Sequence, residues 1–128
     1  MSGIKRDAAD SWFSKAVRAR DEWCLSCGKE DNLQCAHIYG RRKKITRWDM
    51  DNAVTLCAGC HRHYTEHPLS FHDWLEKTLG EGHMAILREK SNGIMKTNAA
   101  LRKEIAKHYR EQVTAFEQDD QHEWINFN

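Results

Sequence analysis

Trp12, Phe13, Ala16, Val17 and Arg20 recur at the three- and four-residue steps of a helix, which predicts a packing helix over residues 6–22. The pattern then shortens. Residues 33–38 (LQCAHI) and 53–56 (AVTL) are brief runs that read as strands, with a polar loop between them. A helix is expected to start near Cys57 and run to about His67, where Pro68 stops it. Ser70 is the expected N-cap of the next helix, which carries Phe71, Trp74, Leu75 and Leu79 and ends at Gly80. A shorter helix holds Met84, Ile86 and Leu87. The longest, over 97–117, presents Leu101, Ile105, Tyr109, Val113 and Phe116 as one apolar stripe, the mark of a packing surface. From Gln118 onward the tail is expected to be loose or to dock through Trp124 and Phe127. There is no internal repeat. The class expected is α+β and mostly helical.

Length and composition narrow this picture. A chain of 128 residues is expected to form a single domain over 1–128: an N-terminal helix (6–22), a core (23–68), a helical extension (69–117) and a tail (118–128). Such a chain buries roughly two-thirds of its unfolded surface and can fold alone. With 30% charged residues and a formal net charge of only +1, it has no global basic field, so any nucleic-acid surface must come from local segregation of charge. No apolar run approaches the ~20 residues that span a membrane. The opening MSGIKRDAADSWF lacks the apolar stretch of a secretory leader. A reducing, cytoplasmic compartment is expected, in which paired cysteines read as metal ligands rather than disulfides.

Four of the five cysteines form two Cys-x-x-Cys pairs, Cys24/Cys27 and Cys57/Cys60. Two such pairs can close a tetrahedral zinc site with no open position, hence a structural one. Glycine after the second cysteine, Gly28, suits the tight turn that aims both sulfurs at one ion. Two other readings stay open: His61 in place of Cys60 as fourth ligand, and a redox role for the pairs. Cys35 is left over, as a buried strand thiol or an accessory ligand.

Between and beside the pairs stand His37, Asn52 and His61, in the frame H-x14-N-x8-H. This frame resembles the HNH nuclease superfamily, whose fold is the ββα-metal motif, and the spacing is similar to that of colicin-type DNases. The resemblance implies a zinc-stapled ββα-metal core flanked by helices. By position, His37 would activate water, Asn52 would hold the Ala36–His37 loop, and His61 would bind a catalytic divalent ion, Mg2+ or Mn2+. It also implies hydrolysis of DNA to 5′-phosphate and 3′-hydroxyl ends. The residue types suit that chemistry: a neutral imidazole of pKa roughly 6.5 can take a proton from water near pH 7. The chain departs from the family where Ala36 replaces the Asp or His that many members place before the base, and where Thr65 replaces a further His. His37 itself, His63, His67, Cys35, Gln34, Asp49 and Asp51 are candidate additional ligands.

A finer resemblance runs through Cys35-Ala36-His37-Ile38, Thr46-Arg47-Trp48-Asp49, Asn52, Leu56-Cys57 and Cys60-His61 to Pro68, Phe71, Trp74-Leu75 and Leu79-Gly80. It is similar to phage and prophage proteins of the NinG/Rap recombination nuclease type, which implies a bacterial host, branched DNA as a candidate substrate and a homodimer for junction work. Arg41, Arg42, Lys43, Lys44 and Arg47 place five positive charges and no acid beside His37 and are expected to bind phosphate without reading sequence. Lys5, Arg6, Lys15, Arg18 and Arg20 are candidates to extend that surface. The reading is a metal-dependent DNA endonuclease. Its rivals are a non-catalytic zinc-dependent DNA-binding module, which Ala36 favours, and a protein-interaction adaptor.

Overall fold

The computed structural model describes residues 5–127. The reading of the N-terminus as leader-free rests partly on Met1–Ile4, which, like Asn128, lie outside the described residues. The chain is mostly helical, with one small antiparallel sheet: α1 (Ala8–Asp21), β1 (Leu33–His37), α2 (Lys44–Arg47), a 3-10 turn (Met50–Asn52), β2 (Ala53–Cys57), α3 (Ala58–Glu66), α4 (Pro68–Leu79), α5 (Glu81–Ser91) and α6 (Ala99–Gln118). Among the described residues no helix is long and apolar enough to cross a membrane.

The helix starts follow local chemistry. Asp7 and Asp10 form a reciprocal capping box at α1, each carboxylate accepting from the other's backbone N–H. Asn98 accepts from Leu101 N at α6. Pro68 has two effects. It keeps His67 out of helical geometry, ending α3 at Glu66, and it opens α4 as a first-turn proline. Ser70 therefore lies inside α4 and does not cap it. The short helix expected around Met84 extends over Glu81–Ser91, after Gly80 at φ +95, a left-handed value that glycine adopts without strain.

In the hairpin Leu33 pairs with Cys57, Cys35 with Thr55 and His37 with Ala53. Strand pleating sends alternate residues to opposite faces, and each face carries its own core. On one side Phe13, Ala16 and Val17 of α1 and Ile105, Tyr109 and Val113 of α6 pack with Trp48, Met50 and Ala53. On the other, Ala36, Val54 and Leu56 pack with Cys24, Cys57, Leu75 and Met84. All five residues of β2 are buried as a result. The stripe on α6 is the packing surface expected of it.

The tail is docked. Asn126 accepts from Met50 N and donates to Asp49, and the Tyr109 hydroxyl donates to the Trp48 carbonyl. Trp124 lies against Phe116, and Phe127 against His108.

Candidate metal centre and histidine site

Cys24 and Cys27 lie on the turn after α1, and Cys57 and Cys60 at the junction of β2 and α3. Their four Sγ atoms lie within 4.8 Å of one another. Zinc–sulfur bonds of about 2.3 Å make a tetrahedron with edges of about 3.8 Å. Cys27 Sγ and Cys57 Sγ stand 3.7 Å apart, so the cluster has the dimensions of a zinc site. Backbone N–H groups of Cys27 and Cys60 point at Cys24 Sγ and Cys57 Sγ, each at 3.4 Å. Burial would raise the Cys24 thiol, but N–H donors outweigh it and bring it down to about 6. The N–H of Cys60 likewise lowers Cys57. Burial, with three thiols already crowding the site, pushes Cys60 up to about 12. Four sulfurs this close could hold one metal ion between them, and the donor set fits zinc as a closed, structural ion. Cys35 is excluded from the cluster. It points to the opposite face, and burial raises its thiol to about 12. Of its two expected roles, accessory ligand falls away.

Asn52 is fully buried and closes the loop between the strands. Its Oδ1 accepts from Tyr39 N at 2.8 Å, and its Nδ2 donates to Tyr39 O at 2.9 Å and Thr46 O at 3.0 Å. The backbone of Ile38 adds a bond to Asn52 O at 2.8 Å. The loop it holds is thus residues 39–46, just beyond the expected Ala36–His37 segment.

His37 is half-buried at the end of β1, with its ring 5.6 Å from that of Phe13. Its Nε2 lies 3.0 Å from Arg47 O. A carbonyl only accepts, so Nε2 carries the proton and Nδ1 keeps the lone pair. Burial lowers the pKa of the ring. His61, half-buried in the first turn of α3, has Nδ1 2.7 Å from Gln34 Oε1. The same logic leaves its lone pair on Nε2, and burial lowers its pKa too. Each imidazole is thus a neutral base near pH 7, held by one nitrogen with the other available. Pleating turns Gln34 and Ala36 toward the α3 side, whereas Cys35 and His37 turn toward α1. Among the described residues, no hydrogen bond or ring contact joins the two histidines.

Several of the other candidate ligands have partners of their own. Asp49 is buried, paired with Lys90 and bonded to Asn126. Gln34 orients His61. His63 and His67 stack on each other at 4.5 Å, with His67 Nδ1 on His63 O. Asp51 is exposed, and its carbonyl accepts from His83. Among the described residues, the four cysteines are the one group of three or more His, Cys, Asp or Glu side chains near enough to share an ion.

The basic loop is divided. Arg42, Lys43 and Lys44 are exposed, with Lys43 Nζ 3.4 Å from Ser91 O. Arg47 is a correction: it is 4% exposed and donates to both carboxylate oxygens of Asp10, at 2.9 and 2.6 Å. Arg41 also reaches Asp10, at 3.8 Å. Asp10, which sequence reasoning missed, accepts from Trp48 Nε1 as well. Its signal was its place on α1, three residues before Phe13 and seven before Val17, an acid on the apolar stripe. Arg20 does not extend a surface either, since it donates to the carbonyls of Met50 and Ala53. Comparison with known proteins finds no matching family model, curated protein or solved structure.

Proposed function

We propose that this protein is a metal-dependent DNA endonuclease of the HNH type, resembling phage recombination nucleases, with a structural zinc held by Cys24, Cys27, Cys57 and Cys60. The observation that carries the reading is the strand–loop–strand–helix unit itself, with its loop tied by Asn52, the start of its helix held by the four cysteines, and one fixed imidazole on each face of the hairpin. Nδ1 of His37 would take a proton from water as the resulting hydroxide attacks phosphorus in line. The P–O3′ bond breaks, leaving a 5′-phosphate and a 3′-alkoxide that is protonated to the hydroxyl. Nε2 of His61 would be the protein donor to a divalent ion. That ion, when bound, supplies charge neutralisation at the phosphoryl group. A single imidazole fits Mn2+ better than Mg2+, and waters and phosphate oxygens must complete the shell. The exposed Arg42, Lys43 and Lys44 would hold the flanking phosphates.

The second reading, a DNA-binding module without catalysis, is favoured by Ala36. It is buried among Val54, Leu56 and Leu75, where many relatives of the proposed family would carry a ligand. Nicking of supercoiled plasmid in Mg2+ or Mn2+, run beside a four-way junction, separates the two. Cleavage that disappears in His37→Ala and in His61→Ala supports the nuclease. DNA binding without cleavage in either ion supports the module.

A further inference from the structure

The face of α1 turned away from the hairpin meets α6 in a groove of about 710 Å³. Lys5, Arg6, Arg102, Lys103, Lys107 and Arg110 line it, with Trp12 and the small side chains Ala8, Ala9, Ala99 and Ala106. The one acid among the lining residues is Asp7, already committed to the α1 cap and 3.7 Å from Arg102. A chain of net charge +1 thus concentrates six cations along one trough. Phe13 packs on Tyr109 as Asp7 meets Arg102, so contacts advance in the same direction along both helices. The helices run side by side in parallel, and their N-terminal halves add positive potential at the same end. Trp12 is half-buried, with Lys15 Nζ 5.2 Å from its ring centroid.

We propose that this groove binds single-stranded DNA, with a base stacked on Trp12 and phosphates on Arg102, Lys107 and Arg110. Charge complementarity selects a polyanion. The combination of one aromatic face with flanking cations selects unpaired nucleotides, because a duplex keeps its base faces stacked and inaccessible. The groove also adjoins the proposed cleavage site. Arg47 Nη2 donates to Lys5 O at 3.2 Å, and Arg41 and Arg47 both reach Asp10 on α1. A strand lying in the groove therefore leads toward the loop beside His37. The inference deepens the nuclease reading by naming an unpaired strand as a feature of its substrate, and binding tests it apart from cleavage.

The experiment is fluorescence anisotropy with labelled oligo(dT) and a blunt duplex of equal length, on zinc-loaded protein and without added Mg2+ or Mn2+ so that no cleavage intervenes. Lys107→Glu/Arg110→Glu alters exposed side chains. It should weaken oligo(dT) binding at least tenfold, and remove about 1.4 from the slope of log K against log salt, at about 0.7 per single-strand phosphate contact. Duplex binding should change less than threefold. Trp12→Ala should weaken oligo(dT) about tenfold, and Trp12→Phe should restore most of it. Zinc content and circular dichroism check that each variant is folded, and the charge-reversal pair keeps the test decisive if Trp12→Ala is not. Unchanged oligo(dT) affinity in the charge-reversal pair overturns the proposal. So does an equal loss for duplex and oligo(dT), or for heparin, which would make the groove a general polyanion surface. Plasmid nicking with no groove effect sinks this inference alone. Groove binding with no nicking in any divalent ion sinks the nuclease reading alone.

Discussion

Asn52→Ala should be among the most damaging single changes outside the zinc site. The side chain is fully buried and makes three hydrogen bonds, to Tyr39 N, Tyr39 O and Thr46 O. Removing it leaves the Tyr39 N–H and carbonyl without their partner and takes one donor from the Thr46 carbonyl. Thr46 is fully buried, but its carbonyl keeps the Asp49 N–H at 3.1 Å, so that loss costs about 1 kcal/mol. Tyr39 is half-buried, and water can partly replace its two lost partners, at about 1 kcal/mol together. Deleting the amide from a packed site adds about 1 kcal/mol. The sum is about 3 kcal/mol, a large part of the roughly 5–15 kcal/mol that holds a domain folded. Asn52→Asp should do no better. It can still accept from Tyr39 N, but it sets a carboxylate oxygen against two carbonyls where a donor had been. Urea unfolding of zinc-loaded protein gives the stability change. Amide hydrogen exchange at Tyr39 and Thr46 tells whether the loss is centred on the loop. A change below 0.5 kcal/mol in Asn52→Ala would refute the clamp, as would unchanged exchange at Tyr39.

Four further outcomes follow. Zinc-loaded protein should react slowly at all five cysteines, and stripping the metal should expose four while Cys35 stays protected; Cys24→Ser should cost much of the zinc site's folding energy, which is on the order of 10 kcal/mol, read by melting temperature and metal content. His37→Ala should slow cleavage about 10²–10⁴-fold with zinc content and DNA affinity intact, as plasmid nicking and anisotropy will report. Arg42→Ala/Lys44→Ala should take about 1.8 from the duplex salt slope, two contacts at about 0.9 each, whereas Arg47→Ala should leave the slope alone and cost about 3–5 kcal/mol in urea by leaving Asp10 buried short of its main partner. Burial holds the His37 and His61 pKa values below the ordinary 6.5, so their neutral forms contribute stability that is complete above about pH 6.5 and is lost as pH falls through the folded values; the acid limb of the rate profile should likewise lie below 6.5, and a midpoint above it would contradict the burial.

The parts of this molecule legible in its sequence are those that local periodicity and ligand spacing specify. Helical repeats placed α1 and α6 to within about two residues, and the doubled Cys-x-x-Cys spacing anticipated four sulfurs that do gather. Pro68 was read correctly as the end of α3. Its second effect, starting α4, was missed because Ser70 carries the commoner capping chemistry, whereas a first-turn proline needs no side-chain cap. What escaped altogether was pairing between distant segments. Arg47 belongs by sequence to a cationic loop, and by structure to Asp10, an acid on another element. Arg20 is likewise spent on two backbone carbonyls at the turn into β2. A charge count along the chain cannot tell a solvated cation from one enclosed by the fold, because these partners lie thirty or more residues away.

The Asp10 contacts also change what the loop means. Were all five cations at the surface, the loop would be a flexible phosphate brush. Instead Asp10 draws Arg47 inward, and the Arg47 carbonyl meets His37 Nε2. Trp48, packed in the same core, donates to the same carboxylate, and Asn52 ties Thr46 and Tyr39 from the other side. The tautomer of His37 is therefore fixed by a carbonyl that is itself held by an ion pair to a helix outside the hairpin. Gln34 has the corresponding role for His61 from within the sheet. Each ring has one nitrogen fixed and the other free, but they are held by different cores on opposite faces of the hairpin. Pairing of β1 with β2 and the four-sulfur cluster at the start of α3 connect those cores. Metal loss should therefore free His61 before His37, because α3 and Gln34 lie on the zinc side, while the Asp10 ion pair anchors Arg47 to α1 without any contribution from the cysteines.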